Sequence, residues 1–238
     1  MFNTMITAHS GCDGTPDNSL EYIRKALSLE VDAFEVDVNI GNDGELYLSH
    51  DGNPDGKYEK CPTLREAFEL MKPHPGVKIN CDLKTHHIEA AVLELSERMG
   101  LMGRVIFSGS VGTAFLRENP EVHKKVDIFL NLEEIIDITR YKWPVESPDK
   151  AAGIAETAAD LCRNLKAPVI NINHIFCTDH IVDVVQRKGI NISAWTVNEE
   201  KDIIRLLKLG VKNITTRNAA NALAIRKKLT EGQNSASS

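Results

Sequence analysis

The 238-residue sequence is short of several features that would classify it at once. Its five cysteines, at 12, 61, 81, 162 and 177, are odd in number and include no C-x-x-C pair. That pattern argues against a disulfide framework or a structural zinc site and for reduced thiols in a cytoplasmic protein. Positive charge is not in surplus, since the formal net charge is −6. Nucleic acid and anionic membranes are therefore not expected as main partners. No apolar run approaches the length of a bilayer span, and the first strand is expected from about Met5, which leaves no room for a signal peptide. No integral membrane association is expected. There is no proline-rich or low-complexity linker, and no G-x-G-x-x-G or Walker motif. The missing glycine-rich loop weighs against a doubly wound, nucleotide-binding sheet.

What is present is ordinary in amount and regular in order. A hydrophobic content of 42% and a charged content of 26% suit a globular chain with a sizeable core. Met5 to His9 reads as a strand that enters the loop HSGCDGTPDNS, in which Cys12 is an ordinary loop thiol. Asn18 and Glu21 have capping-box spacing for a helix from Ser19 to about Leu29. After a strand over 31–38 and a returning arm over 45–49, Thr63 and Glu66 give a second capping box, for a helix through Met71. Strands are then expected over 77–84, 104–108, 126–131, 167–173, 191–197 and 211–216. The helices between them end near Met99, 118, Leu165, Gly189 and Gly210, with Ser147, Thr178 and Asn198 as N-caps, and a closing helix reaches about Leu229. Residues 132–147 are the least regular stretch.

Leaving out the returning arm, eight strands each lead to a helix within about 230 residues. That is the pattern of one α/β domain, a (β/α)8 TIM barrel with a β-hairpin after the second strand. The domain is expected over 1–230, followed by a disordered tail over 231–238. Only 31 residues separate His50 from Asp82, so no sizeable inserted subdomain is expected there.

The chain is organised around residues 31–51, VDAFEVDVNIGNDGELYLSHD. Side chains two apart on a strand share a face, so Glu35 and Asp37 point one way while Phe34, Val36 and Val38 point the other. The Asn42-Asp43-Gly44 turn returns the chain so that His50 comes back beside the two acids. On the strand over 77–84, Asn80, Asp82 and Lys84 alternate with Ile79, Cys81 and Leu83 in the same way.

Chemistry in such a barrel belongs at the C-terminal ends of the strands. There the sequence supplies His9, Glu35, Asp37, His50, Asp82, Lys84 and Trp195. Three carboxylates with no thiolate partner suit a hard divalent cation, Mg²⁺ or Ca²⁺. Two histidines beside it suit general acid and base roles, and a lysine suits an anionic oxygen. Taken singly, His9 also has a reading as a hydrogen-bonded structural histidine and Lys84 as a partner for Asp82, while a lone Trp195 is more often core. Their coincidence at one end of one barrel points to metal-assisted cleavage of a phosphate ester.

The ordered blocks HSG (9–11), PDNS (16–19), EVD (35–37), DG (43–44), HD (50–51), DLK (82–84) and WTVN (195–198) resemble the pattern of glycerophosphodiester phosphodiesterases. The resemblance implies a barrel without a helix directly after its second strand. It also implies cleavage of a small-molecule glycerophosphodiester to glycerol 3-phosphate and an alcohol, often written with the substrate's own 2-hydroxyl as the attacking group. By the same resemblance His9 and His50 are the acid–base pair, and Glu35, Asp37 and Asp82 are the metal ligands. Lys84 contacts phosphate, Trp195 lines the glycerol side, and Ser10 and Asn18 contact substrate.

The chain also departs from the family pattern. Ser10 stands where the family carries an arginine, Asp82 where it usually has glutamate, and Thr216-Arg217 where it often has Thr-Asp. Losing the arginine removes a bidentate phosphate contact that Lys84 cannot replace geometrically. Two rival readings follow. One is a lysophospholipase D or sphingomyelinase D type enzyme for a bulkier diester. The other is a barrel that binds a phosphorylated ligand without turning it over.

Overall fold

The computed structural model describes residues 2–53, 55, 58, 60–137 and 148–236. Nine strands form one sheet: β1 (Met5–Ala8), β2 (Ala33–Ile40), β3 (Leu46–Leu48), β4 (Lys78–Leu83), β5 (Val105–Gly109), β6 (Asp127–Asn131), β7 (Val169–Asn173), β8 (Asn191–Trp195) and β9 (Asn213–Thr216). Their order is β1-β9-β8-β7-β6-β5-β4-β2-β3, and β1 also pairs with β2, which closes the sheet. Every pairing around the ring is parallel, while β3 runs antiparallel to β2 as the returning arm of a hairpin. This is the expected eight-stranded parallel barrel.

Among the described residues, eight α-helices accompany the strands: α1 (Leu20–Ser28), α2 (Leu64–Met71), α3 (Glu89–Arg98), α4 (Thr113–Glu118), α5 (Pro148–Asn164), α6 (Asp179–Arg187), α7 (Glu200–Leu209) and α8 (Ala219–Ala236). They cover the outward strand faces, where Phe34, Val36, Val38, Ile79, Cys81, Leu83 and Phe107 are fully buried in the main core. The inward residues change character along the barrel. At its N-terminal end Ala33, Ile106, Phe129 and Val169 form a separate apolar plug with Met5 against it. Above the plug the inward positions are polar, with Thr7, Asn80, Ser108, Asn171, Ser193, Asn213 and Thr215 all buried. Asn213 accepts a hydrogen bond from Thr7 Oγ1 at 2.7 Å and donates to Ser193 Oγ and Thr215 Oγ1 at 3.0 Å, so these buried groups satisfy one another.

Local signals set most helix starts as the sequence suggests. Thr63 and Glu66 form the full capping box of α2, and Thr178 accepts from Ile181 N at the start of α6. Two caps are corrected. The N-cap of α1 is Ser19, which accepts from Tyr22 N, because Asn18 is committed to Asp37. The N-cap of α7 is Glu199, because Asn198 Oδ1 is used by Arg217 N and Thr216 Oγ1. The expected cap Ser147 lies outside the described residues. The closing helix runs past Leu229, to Ala236.

Candidate active site

Strand register brings the acids together. Asp37 on β2 pairs with Asp82 on β4, and Glu35 pairs with Asn80. Because these residues alternate with the helix-facing ones, all four side chains point into the barrel. Glu35, Asp37 and Asp82 each offer a carboxylate oxygen, and the three oxygens lie within 4.8 Å of one another. Gly109 makes room beside Asp82. A Cβ there would lie 2.4 Å from Leu83 O and 2.9 Å from Asp82 Oδ1, and its φ of +75° also favours glycine.

Each acid is held by its own partners. The Ser10 backbone N–H donates to Glu35 Oε2 at 2.9 Å, and Ser10 Oγ accepts from Asn18 N at 2.7 Å. Asn18 Nδ2 donates to Asp37 Oδ2 at 2.7 Å, and Ser108 Oγ donates to Asp82 Oδ1 at 2.7 Å. Tyr22, fully buried on α1, places its hydroxyl against Ala8 O at 2.7 Å and Glu35 O at 2.8 Å. Ser10 and Asn18, expected to contact substrate, are both buried behind the acids and neither lines the cavity, because their polar atoms are spent on Glu35, Asp37 and each other.

Lys84, just past β4, lies between Asp37 Oδ1 at 2.7 Å and Asp82 Oδ2 at 2.5 Å. Burial disfavours its ammonium, but the two carboxylates outweigh that and raise its pKa. One ammonium among three acids leaves the cluster short of positive charge. Glu35 registers the deficit: burial first, then Asp37 and Asp82, push its pKa well above the ordinary carboxylate value. The Ser10 N–H and Lys84 oppose that rise only in part.

The two histidines differ in setting. His9 follows β1 and is largely buried, with Nδ1 3.0 Å from Ser10 O and 3.8 Å from Glu35 Oε2. A carbonyl oxygen can only accept, so Nδ1 carries the proton and Nε2 is the basic nitrogen of the neutral ring. Burial, only partly offset by the Ser10 carbonyl, lowers the pKa of His9 below its usual value. His50 follows β3 at the exposed rim, with Nδ1 2.9 Å from Asp51 Oδ1.

His9, Glu35, Asp37, His50, Asp82, Lys84 and Trp195 all line one cavity of about 300 Å³ at the C-terminal end of the barrel. Its remaining wall is neutral and polar: Asn80, on the inward face expected for it, and Ser108, Asn131, Asn171, Thr196 and Thr215, which the sequence reading missed, with Arg217 at the edge. The signal for the asparagines was available, because Asn131 ends the inward-facing alternation of β6 and Asn171 follows Val169 on that of β7. Two atoms among these residues, Asn80 Oδ1 and Trp195 Nε1, are buried without a hydrogen-bond partner among the described residues. Such groups are costly to leave unpaired and favour a polar occupant.

Comparison with known proteins agrees with this geometry. The sequence model of the glycerophosphoryl diester phosphodiesterase family matches residues 53–220. The chain is 24% identical to a glycerophosphodiester phosphodiesterase of Caldanaerobacter subterraneus, over 90% of this chain and 93% of that protein. A glycerophosphodiester phosphodiesterase from Parabacteroides distasonis shares the fold with a TM-score of 0.74 at 19% identity, covering 96% of this chain and 98% of its own. An Oleispira antarctica phosphodiesterase, solved in complex with the product sn-glycerol-3-phosphate, matches with a TM-score of 0.70 at 17% identity, covering 94% of this chain and 97% of its own.

Proposed function

The chain belongs to the glycerophosphoryl diester phosphodiesterase family, and from that premise we propose that it hydrolyses a glycerophosphodiester to glycerol 3-phosphate and an alcohol. The observation that carries this reading is the meeting of three carboxylates and two histidines in one small polar cavity. The sn-glycerol-3-phosphate bound by the Oleispira antarctica relative supports the product assignment.

The acid cluster fits a divalent cation, Mg²⁺ or Ca²⁺. Its donors are all hard oxygens, and Lys84 places one positive charge between two of them where three carboxylates meet. Glu35, Asp37 and Asp82 would hold the ion, which when bound would draw charge from the phosphoryl oxygens.

The protein's own groups account for the proton transfers. His9 Nε2 takes the proton from the attacking hydroxyl as its oxygen bonds to phosphorus; where that hydroxyl is the substrate's own 2-hydroxyl, the cyclic phosphate it forms is opened by water in a second step to give glycerol 3-phosphate. His50 returns a proton to the departing alkoxide as the phosphorus–oxygen bond breaks. The two assignments follow their settings, since His9 is buried with its basic nitrogen unprotonated and His50 is solvent-facing beside the Asp51 carboxylate. Lys84 stabilises the phosphoryl charge that builds in the transition state. Asn80, Trp195 and the neutral amides of the wall suit hydroxyl groups better than an acyl chain, which favours a glycerol-sized half over a lysolipid.

The test is a substrate comparison with purified protein in Mg²⁺ or Ca²⁺. Release of glycerol 3-phosphate from glycerophosphoethanolamine, faster than any cleavage of lysophosphatidylcholine, is expected. The opposite preference would move the assignment to the lysophospholipase D reading, and turnover of neither would favour a binding barrel.

A further inference from the structure

Arg217 stands at the edge of the cavity with no part in the chemistry so far. It directly follows β9, the neighbour of β1 in the barrel, so its side chain comes up beside His9. Its backbone is fixed on both sides. Arg217 N donates to Asn198 Oδ1 at 2.9 Å, and Arg217 O accepts from Asp13 N in the loop after His9 at 2.8 Å. The guanidinium lies against that loop. A Cβ built on Gly11, the residue after Ser10, would fall 2.8 Å from Arg217 Nη1 and 1.9 Å from Asp17 Oδ1. The charged head therefore occupies space immediately beside the segment in which Ser10 takes the place of an arginine.

We propose that Arg217 is the residue that grips the phosphoryl group of the substrate, reaching from the end of β9 into the place left without a cation by Ser10. This inference rests on the phosphodiester reading above and names a substrate contact within it.

Barrel order supplies the geometric argument. Around the rim the charged groups follow as Arg217 after β9, His9 after β1, Glu35 and Asp37 on β2, then Asp82 and Lys84 on β4. A phosphoryl group placed over the acids beside His9 thus has one cation on each side. Lys84 is already engaged by two carboxylates, at 2.7 and 2.5 Å. Among the described residues the Arg217 head is held at its Nη atoms by Asp17, at 2.7 and 3.2 Å, which leaves other N–H groups of its planar head for an anion. Asp17 orients the guanidinium in this way without neutralising its role. The pair is about half exposed, and such pairs contribute little to stability, so stability alone does not explain it. The hydrogen-bonded Asp17 raises the pKa of Arg217 against the effect of burial, and the fields of Glu35 and Asp37 add to that rise, in keeping with its place beside the cluster.

The test is calorimetric titration of sn-glycerol 3-phosphate and, in parallel, glycerol into the wild-type protein, R217A, R217K and D17A. Thermal melts accompany each variant. Arg217→Ala is expected to weaken glycerol 3-phosphate binding by about 10- to 100-fold and to leave glycerol binding unchanged. Arg217→Lys is expected to recover only part of the loss, because lysine cannot offer a planar fork. Asp17→Ala removes the same ion pair but keeps the cation, and is expected to retain most of the affinity. Glycerol 3-phosphate binding by R217A equal to wild type, equal losses in R217A and D17A, or no binding by the wild type would each overturn the proposal. Hydrolysis is assayed separately on the same wild-type preparation. If no diester is cleaved, the phosphodiesterase reading fails while the titration still decides the phosphate contact. If diesters are cleaved and R217A binds normally, only the role of Arg217 fails.

Discussion

Asn18 grips Asp37 twice: its Nδ2 donates to the carboxylate at 2.7 Å, and its Oδ1 accepts from the Asp37 backbone N–H at 3.0 Å. Asn18 adopts φ of +51° to do this, in the left-handed region that asparagine tolerates better than most residues. One side chain thus holds both the strand backbone at Asp37 and the orientation of a proposed metal ligand. Asn18→Ala is expected to leave the fold intact and to weaken the apparent affinity for the activating cation by about 10- to 100-fold, as loss of a ligand's supporting hydrogen bond typically does. Activity titrated against Mg²⁺ or Ca²⁺ measures it. An unchanged metal dependence would mean that Asp37 needs no such support.

The proposed proton transfers predict large and separate losses. His9→Ala and His50→Ala should each lower turnover by about 100-fold or more, with the thermal midpoint of His50→Ala near wild type because His50 is exposed. Steady-state kinetics on glycerophosphoethanolamine checks both. Near-normal turnover in either variant removes that histidine from the mechanism.

Tyr22 joins α1 to the end of β1 and to Glu35 within β2. Its hydroxyl meets Ala8 O and Glu35 O, and it accepts from Glu35 N at 3.1 Å. Tyr22→Phe keeps the ring packed against Phe34 but strands buried backbone groups. The expected cost is about 1–3 kcal/mol, read as a lower urea midpoint at unchanged slope. A midpoint equal to wild type would show that water replaces the hydroxyl.

Trp195 Nε1 is a buried donor with no partner among the described residues, on a side chain that lines the cavity. If it serves a glycerol hydroxyl, Trp195→Phe removes one neutral hydrogen bond and keeps most of the apolar surface. KM should rise by roughly 2- to 12-fold with kcat little changed, the signature of lost uniform binding. A fall in kcat at constant KM would place Trp195 nearer the reacting atoms.

What could be read from the sequence was set by local rules. Alternation of polar and apolar residues put Glu35, Asp37 and Asp82 on inward faces, and the strand–helix rhythm implied the barrel that gathers them. What could not be read depended on which polar group wins a partner across the chain. Asn18 looks like a helix cap by its spacing from Glu21, yet Asp37, 19 residues away, takes its side chain. Asn198 likewise leaves α7 to hold Arg217. Ser10 sits beside the first histidine but turns inward to Glu35 and Asn18. Arg217 and Asp17 are 200 positions apart, and only closure of β9 onto β1 makes them neighbours.

The most direct test of the central claim, that this acid cluster and its histidines run a metal-dependent phosphodiester cleavage, is a chelation and restoration assay. Purified protein is treated with EDTA, then supplied separately with Mg²⁺, Ca²⁺ or Mn²⁺, and glycerol 3-phosphate release from glycerophosphoethanolamine is followed. The account predicts that release stops on chelation and returns with Mg²⁺ or Ca²⁺, and that a variant carrying Asp37→Asn and Asp82→Asn shows no such return. Release that continues undiminished in EDTA, or that survives in the double variant, would contradict it.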